Sequence, residues 1–414
     1  MSFDSSLKPL LKWRDECQQE ARNIADWWAE NTIDHEGGGF LGELNRKNKP
    51  VHMASKSIIQ NTRILWFFSE YAHFTQSERD LAVATRAYDY LMAHFDDPEY
   101  GGVIWMVNYQ GKTTDTKKQT YAIGFAIYAL SAYYKLTGSE TAIATAKGYF
   151  ELLELHARDR QNNGYVEALS QTWQPLDDVR LSLKDENYPK TMNTHLHILE
   201  AYTALHAVAP DSKTEEALGN LIEVFEHQII DAESNHLKLF LDMDWKDHST
   251  FWSYGHDIEC SWLLYEALEA LDNEKLINRL TPTVINMAQI TLEQGIGEHG
   301  QVLDQIDLDS QTKHPESHWW VQAEALVGFL NAYYLTEQKR FLEVNTPIWD
   351  FICKYHMDKE FGEWHWLSTL DQPNHPTIYK AGGWKAPYHN GRAMLEICKL
   401  VDKIKLFEVP KESA

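Results

Sequence analysis

The chain has 414 residues and carries 38 Lys and Arg against 61 Asp and Glu, a formal net charge of −23. This acidic excess argues against a nucleic-acid or anionic-membrane partner, because both need a basic protein face. Hydrophobic residues (43%) and charged residues (24%) occur in globular proportions, which excludes general disorder.

The start of the chain and its cysteines indicate a cytoplasmic protein. Residues 1–6 have neither the basic nor the apolar segment of a secretory signal. No apolar run approaches the roughly 20 residues that a membrane span needs. The four cysteines, Cys17, Cys260, Cys353 and Cys398, lie far apart. We therefore expect reduced thiols and neither a disulfide framework nor a zinc site.

An internal repeat dominates the rest of the chain. Apolar stretches that are typical of buried helices recur at steps of roughly 62–69 residues, too long for a helical solenoid repeat. They cover 63–71, 124–134, 195–202, 261–268, 324–333 and 390–397. More polar amphipathic stretches lie between them or before them, at 7–31, 77–95, 139–159, 214–230, 273–292 and 339–355.

One outer and one inner helix in each repeat make six helical hairpins. We predict that they close into an all-α (α/α)6 barrel, a single domain over residues 1–414. An open solenoid is the alternative, but no terminal segment resembles a polar cap. Short strand-like stretches follow Gly turns at 37–42, 101–107, 164–167 and 362–366, and predict small β-hairpins at the barrel mouth.

Histidines, tryptophans and carboxylates cluster at the starts of the predicted inner helices. Asn193 and His197 share a helix face, whereas His195 points away, so one histidine can face a cavity while the other packs. His256 and Glu259 are three residues apart, so the carboxylate can accept a hydrogen bond from the imidazole.

Three further positions belong to the same pattern. Trp319 and Trp320 enter a helix side by side, so one of them is expected to line a cavity. Trp384 and His389 flank a proline just before the last inner helix. Arg63 is a cation among apolar residues and needs an anionic partner, or an oxygen that becomes anionic during a reaction.

These histidines, tryptophans and the arginine recur at matching positions of the repeat. We therefore predict that they share one polar cavity. Two imidazoles on opposite sides of a sugar carbon can remove a proton from one face and return it to the other, through an enediolate. This chemistry requires no metal and no redox cofactor. The sequence has no HExxH motif, and no GxGxxG or GxxxxGK[ST] motif follows a predicted strand, so we predict no cofactor.

The clusters resemble the N-acylglucosamine 2-epimerase superfamily and, within it, the cellobiose 2-epimerases. The resemblance spans about residues 7–405. Its motifs are NTR (61–63), KQTYA (118–122), MNTHLH (192–197), YGHDIE (254–259), WWVQAE (319–324) and WKAPYHN (384–390).

The resemblance implies an (α/α)6 barrel and epimerisation of the reducing-end glucose of a β-1,4-disaccharide to mannose. It makes His256 and His389 the acid/base pair at C2, with His389 assisting ring opening. Arg63 and His197 hold the enediolate oxygens, and Glu259 orients His256. Substrate contacts are implied for Tyr121, Asp185, Asn193, Trp319, Trp320, Glu324 and Trp384, and a second sugar subsite for Trp320, His365 and Trp366.

Several alternatives remain open at this point. A mannose 2-epimerase or an aldose–ketose isomerase acting on free mannose shares nearly all of these residues. An (α/α)6 glycoside hydrolase needs paired acids, for which Asp185 and Glu259 are candidates. A sugar-binding protein without activity has no need of the histidines. We also expect a monomer, and a loop over the mouth at residues 298–317.

Overall fold

A computed structural model describes residues 4–375 and 378–408. The helices are α1 (Asp4–Asn31), α2 (Ile58–Thr75), α3 (Glu78–His94), α4 (Thr120–Thr137), α5 (Glu140–Leu152), α6 (Met192–Val208), α7 (Ser212–Val224), α8 (Tyr254–Leu271), α9 (Glu274–Gln294), α10 (Trp319–Thr336), α11 (Lys339–Glu343), α12 (Asn345–Phe351) and α13 (His389–Glu408). Single π-helical turns extend α5, α7 and α12 over Leu153–Ala157, Phe225–Ile229 and Ile352–His356. In these ranges, no helix is long and apolar enough to cross a membrane.

The inner helices form a closed ring. In chain order α2, α4, α6, α8, α10 and α13 each pack against the next, and α13 returns to α2. The predicted (α/α)6 barrel is therefore confirmed, and the open solenoid is excluded. Every residue of α2 from Ile58 to Ala72 is buried, as expected of an apolar helix in the inner ring.

The outer helices complete the hairpins. Helices α3, α5, α7 and α9 each pack against the inner helix before them, and α11 and α12 pack against α10. The predicted outer helix at 339–355 is broken in two, because Pro347 has no N–H to donate to the carbonyl of Glu343.

The sixth hairpin joins the two ends of the chain. Helix α1 packs against α13, and Arg14 donates two hydrogen bonds of 2.8 Å to the Asp402 carboxylate. The four cysteines are free, and Cys17, Cys260 and Cys398 are buried.

Short strands line the mouth of the barrel. They are β1 (Lys56–Ser57), β2 (Met106–Val107), β3 (Thr113–Asp115), β4 (Lys118–Gln119), β5 (Ala168–Leu169), β6 (Lys190–Thr191), β7 (Phe240–Leu241), β8 (Phe251–Ser253), β9 (Gln305–Asp307) and β10 (Lys313–His314). All pairings are antiparallel, in sheets ordered β1-β2-β3, β4-β5, β6-β7 and β8-β9-β10. Because β1, β4, β6 and β8 run directly into α2, α4, α6 and α8, the strands fix where these four inner helices begin.

The predicted strand stretches are confirmed in part. Residues 101–107 include β2, but 37–42, 164–167 and 362–366 contribute only isolated bridges, such as Ile33 to Phe40 and Met357 to Trp364. The segment 298–317 is more ordered than a bare loop, since it supplies β9 and β10 to the sheet with β8.

Four buried lysines tie the mouth loops to the ends of the outer helices. Lys56, Lys118 and Lys190 lie in β1, β4 and β6. The pairs are Lys56 with Asp34 (2.6 Å), Lys118 with Asp97 (2.6 Å), Lys190 with Asp159 (2.8 Å) and Lys380 with Asp358. Burial works to raise the pKa of each aspartate, but the lysine and the backbone N–H groups of the turn outweigh it and lower the pKa. We call these pairs the lysine clamps.

Candidate active site

The first turns of the inner helices bring aromatic, imidazole and guanidinium groups together. The ring of His197 lies 5.0 Å from that of Tyr121. The ring of Trp320 lies 4.8 Å from His256 and 5.6 Å from His389. Since these side chains come from α4, α6, α8, α10 and α13, the cavity between them is built by most of the inner ring.

Arg63 is a buried cation without a carboxylate partner. Its Nη1 donates to the carbonyl of Trp384 at 2.6 Å and its Nη2 to the Tyr121 hydroxyl at 2.9 Å. Its guanidinium lies 4.8 Å from the ring of Phe125 and 4.9 Å from that of Tyr388. Within residues 4–375 and 378–408, no carboxylate is within ion-pair distance of Arg63. Its charge is therefore free to stabilise an oxygen that becomes anionic.

The two histidines of α6 have different surroundings. His197 Nδ1 donates to Glu200 Oε2 at 3.0 Å, which leaves Nε2 for the cavity. His195 bonds the carbonyl of Thr191 at 2.6 Å through Nδ1 and accepts the Tyr165 N–H at 2.9 Å through Nε2. Burial lowers the pKa of His195 to about 4. His195 is thus the packed histidine and His197 the one at the cavity.

The predicted pairing of Glu259 with His256 is wrong. His256 Nδ1 is hydrogen-bonded to Ser253 Oγ at 2.7 Å, whereas Glu259 Oε1 accepts from Arg392 Nη2 at 2.7 Å. The guanidinium of Arg392, which comes from α13 across the barrel, draws the carboxylate towards the barrel interior. Burial, with His197 nearby, lowers the pKa of His256 to about 3, so its imidazole is neutral.

His389 has the carboxylate partner that His256 lacks. Its Nδ1 donates to Glu324 Oε1 at 2.6 Å, and Trp262 Nε1 donates to Glu324 Oε2 at 3.1 Å. Both oxygens of Glu324 are therefore engaged and the residue is 1% exposed. This corrects the expected role of Glu324: it lies beneath His389 as the partner of the imidazole and does not line the cavity as a substrate contact.

A buried network that the sequence analysis missed lies below the histidines. Arg392 donates through Nη2 to Glu259 Oε1 and Glu324 Oε1, each at 2.7 Å, and through Nη1 to Glu200 and the Tyr388 hydroxyl. The same hydroxyl donates to both Glu200 oxygens at 2.6 Å. We call Arg392 and the three glutamates the arginine–glutamate network. Its sequence signal is a carboxylate three residues after His197 and an arginine three residues after His389.

The network holds its three carboxyl groups in different charge states. Burial works to raise the pKa of Glu200, but Arg392 outweighs it and the pKa is about 2. Burial, with Glu324 nearby, raises the pKa of Glu259 to about 7. Burial also raises the pKa of Glu324, while Arg392 works against it. The pKa of His389 is well below its usual range, because of burial and then the charges of Arg63 and Arg392.

The donor atoms of Glu259, Glu324 and His389 lie within 4.8 Å of one another, a spacing that a metal cluster also has. Here Arg392 takes the place of the cation, since its Nη2 bonds both carboxylates and His389 Nδ1 is already bonded to Glu324. The donor set therefore fits an arginine–carboxylate network and does not fit a metal.

A pocket of about 100 Å³ opens beside His256. Asp185 and Asn193 line it together with the aromatic rings of Tyr188, Phe240 and Phe251. Both predicted polar residues thus share a pocket with His256. Glu259 faces Arg392 in the interior, so Asp185 and Glu259 are not the flanking pair that a glycoside hydrolase needs.

Trp319, Trp320 and Trp366 lie beside His389, and we call them the tryptophan wall. Trp320 is half-buried, and the buried Trp319 lies 6.0 Å from His389 and 4.6 Å from Trp366. Trp384 is half-buried too, and its ring lies 6.0 Å from Trp105 and 6.2 Å from Tyr121. His365 faces Asp358 of a lysine clamp at 3.8 Å. Of the expected second-subsite residues, Trp320 and Trp366 therefore join the tryptophan wall, while His365 lies in the clamp behind it.

Residues 38–393 match the family model of N-acylglucosamine 2-epimerase. The cellobiose 2-epimerase of Bacteroides fragilis is 42% identical over 93% of this chain and 98% of its own. The chain belongs to the N-acylglucosamine 2-epimerase family. It is a carbohydrate epimerase, and hence an isomerase.

Solved structures of the family agree with the barrel. That of cellobiose 2-epimerase from Spirochaeta thermophila is 35% identical, with a TM-score of 0.88 over 97% of this chain and 100% of the other. A D-mannose isomerase is 20% identical, with a TM-score of 0.82 over 96% of this chain and 99% of the other, and shares the fold. The family resemblance expected from the motifs is therefore confirmed.

Proposed function

We propose that this enzyme is a cofactor-independent 2-epimerase that interconverts the reducing-end glucose and mannose of a β-1,4-linked disaccharide such as cellobiose. The observation that carries the proposal is the set of three imidazoles around one cavity. His197, His256 and His389 each have Nδ1 engaged by the protein, which leaves each Nε2 for the substrate.

In the proposed reaction, one imidazole of the pair His256 and His389 removes the C2 proton and the other returns a proton to the opposite face. The electron pair of the C–H bond moves into the cis-enediolate, whose oxygen charge is stabilised by Arg63 and by His197. Since burial lowers the pKa of His256 to about 3, its imidazole is neutral and keeps a lone pair that can accept a proton.

The partner of His256 suits a residue that acts in both directions. The Ser253 hydroxyl can donate or accept a hydrogen bond, so it tolerates either tautomer of His256. A carboxylate accepts only, so Glu324 fixes His389 with its proton on Nδ1. His256 can therefore present Nε2 either with or without a proton while it stays neutral.

The substrate part of the proposal rests on the relatives and on the tryptophan wall. Cellobiose is in the name of the relatives at 42% and 36% identity. Trp320 and Trp366 are half-buried, so they offer flat surfaces near His389 on which a second sugar ring can stack.

The test is a proton NMR time course in deuterated water, with cellobiose and free mannose in separate samples. We expect a mannose-ended disaccharide that carries deuterium at C2. Reaction with free mannose alone would refute the disaccharide, and a ketose as the main product would make the enzyme an aldose–ketose isomerase. Free monosaccharide from cellobiose would refute epimerisation in favour of hydrolysis.

A further inference from the structure

Beneath the proposed catalytic histidines, one buried cation serves two of them. Arg392 is 1% exposed and contacts Glu200, Glu259 and Glu324, which come from three other inner helices. Glu200 is the Nδ1 partner of His197, and Glu324 is the Nδ1 partner of His389. Arg392 is therefore one residue removed from both imidazoles.

We propose that Arg392 is a positioning residue: by offsetting the charge of Glu324, it keeps His389 neutral with its Nε2 lone pair facing the cavity. The role in turnover rests on the function proposed above, whereas the state of the imidazoles does not. Arg392 lies below the histidines, so it acts through them and not on the sugar.

The arginine–glutamate network has three carboxyl groups for one guanidinium. Three ionised carboxylates around one guanidinium leave an excess of negative charge in a buried space. Because burial raises the pKa of Glu259 to about 7, this carboxyl group holds a proton for part of the time near neutral pH. Glu200 and Glu324 then share the single positive charge of Arg392.

Without Arg392, the same carboxylates would face the imidazoles uncompensated. An unscreened carboxylate next to a histidine favours the imidazolium, which has no lone pair to accept a proton. The base would then be lost near neutral pH. With Arg392 in place, each carboxylate fixes the Nδ1–H tautomer but does not hold the second proton on the ring.

Several charged or titratable groups lower the pKa of His389, and two carboxylates work to raise it. Arg392 of its own helix and Arg63 of α2 lower its pKa, and His197 of α6 and His256 of α8 do the same. Glu259 of α8 lies 3.8 Å from Nδ1 and Glu324 of α10 lies 2.6 Å away, and both carboxylates favour the protonated ring. Arg392 is the cation that contacts these two carboxylates directly.

The experiment measures the protonation state of the imidazoles in the full-length enzyme without any sugar. Long-range proton–nitrogen correlation spectra of ¹⁵N-histidine-labelled protein show which ring nitrogens carry protons. In the native enzyme, we expect His389 to be protonated at Nδ1 only. In Arg392→Met, His389 should be imidazolium near neutral pH. His195 is an internal reference, because backbone groups bond both of its nitrogens, and its signals should not move.

Two more variants separate charge from folding. Arg392→Lys keeps a cation but cannot bond all three glutamates at once, so it should keep His389 neutral and lower kcat more than it raises KM. Arg158→Met removes an arginine that is paired with Glu154 outside the network and should change neither spectrum nor rate. Folded Arg392→Met with His389 still neutral would overturn the proposal.

If Arg392→Met does not fold, Glu324→Gln provides the test. Glutamine can still accept the Nδ1–H bond but carries no charge, so His389 should protonate at a lower pH than in the native enzyme. An unmoved titration of His389 would overturn the proposal. These spectra need no substrate, so failure with cellobiose would count against the proposed function alone.

Discussion

The hydrogen-bond partners of their ring nitrogens divide His195, His197, His256 and His389 into two kinds. His197 and His389 bond carboxylates, and His256 bonds a hydroxyl, with the Nε2 of each left for the cavity. His195 has both nitrogens bonded to the backbone. Histidines of the first kind are equipped for proton transfer, whereas the second kind serves the fold.

We predict that His389→Asn lowers kcat by about 100-fold or more, since a general acid or base contributes about that factor, and leaves the urea midpoint nearly unchanged. His195→Asn is the matched control. It loses two buried backbone hydrogen bonds, so it should lose about 1–3 kcal/mol of unfolding free energy and keep its kcat per folded molecule. Near-normal kcat in His389→Asn would contradict the acid/base role.

Glu167 is a buried carboxyl whose partners are uncharged. It accepts hydrogen bonds from the Thr191 N–H, the Thr191 hydroxyl and the Thr194 hydroxyl, at 2.9, 2.9 and 2.7 Å. Burial raises its pKa to about 8. The folded state therefore binds this proton more tightly than the unfolded state, so its contribution to stability is lost as the pH rises from about 4.5 towards 8.

Glu167→Gln should abolish this dependence. The stability of the variant relative to the native enzyme should rise with pH between about 5 and 8, by at most about 1.4 kcal/mol per pH unit. Urea unfolding at several pH values measures it. Glu151→Gln, at an exposed site, should show no such trend. A constant difference between Glu167→Gln and the native enzyme would mean that Glu167 is ionised throughout.

Spacing along a helix does not by itself decide these contacts. His197 with Glu200 and His256 with Glu259 have the same three-residue spacing, yet the first pair bonds and the second, which the sequence analysis predicted, does not. The difference comes from Arg392, which binds Glu259 from across the barrel. Which third group competes for a carboxylate depends on packing between helices, and one helix considered alone does not contain that information.

At the level of secondary-structure elements, the lysine clamps are ion pairs that the apolar periodicity of the sequence does not predict. The apolar repeat predicted the helices and their layers, because burial dictates that pattern. The clamps join an outer-helix end to a segment at the barrel mouth 21, 22 or 31 residues later, and each needs both partners to be recognised together. The fourth repeat has His236 and Asp257 at 2.7 Å instead.

Breaking one clamp should be costly, because it leaves a buried charge unpaired. Lys118 and Asp97 are 0% and 3% exposed in their side chains. We predict that Lys118→Met lowers the unfolding free energy by about 3–5 kcal/mol. The double variant with Asp97→Asn should recover part of the loss, which a double-mutant cycle in urea measures. Lys213→Met, at an exposed pair, should change stability by less than about 1 kcal/mol.

For the whole molecule, closure of the ring depends on the helix at the start of the chain. Cys17, Ile24 and Trp28 of α1 are fully buried, and Trp28 Nε1 donates to Glu363 at 2.6 Å. Removal of α1 would expose the outer face of α13, which also carries His389 and Arg392.

We predict that the chain without residues 1–31 loses its cooperative thermal transition and binds a hydrophobic dye, which calorimetry and fluorescence measure. Arg14→Met is the control, because it removes the ion pair with Asp402 and keeps the apolar contact. It should cost about 1 kcal/mol or less. A cooperative transition in the shortened chain would show that five hairpins and α13 hold the ring without α1.

The pairing of α1 with α13 has a topological consequence. The two helices are antiparallel neighbours joined at Arg14 and Asp402, so the start of α1 and the end of α13 point to the same end of the barrel. At 1.5 Å per residue, both helix ends lie within about 15 Å of that ion pair along the axis. A short linker would therefore join them. New ends could then be opened at the turn between α2 and α3, and this circular permutant would enclose the same cavity.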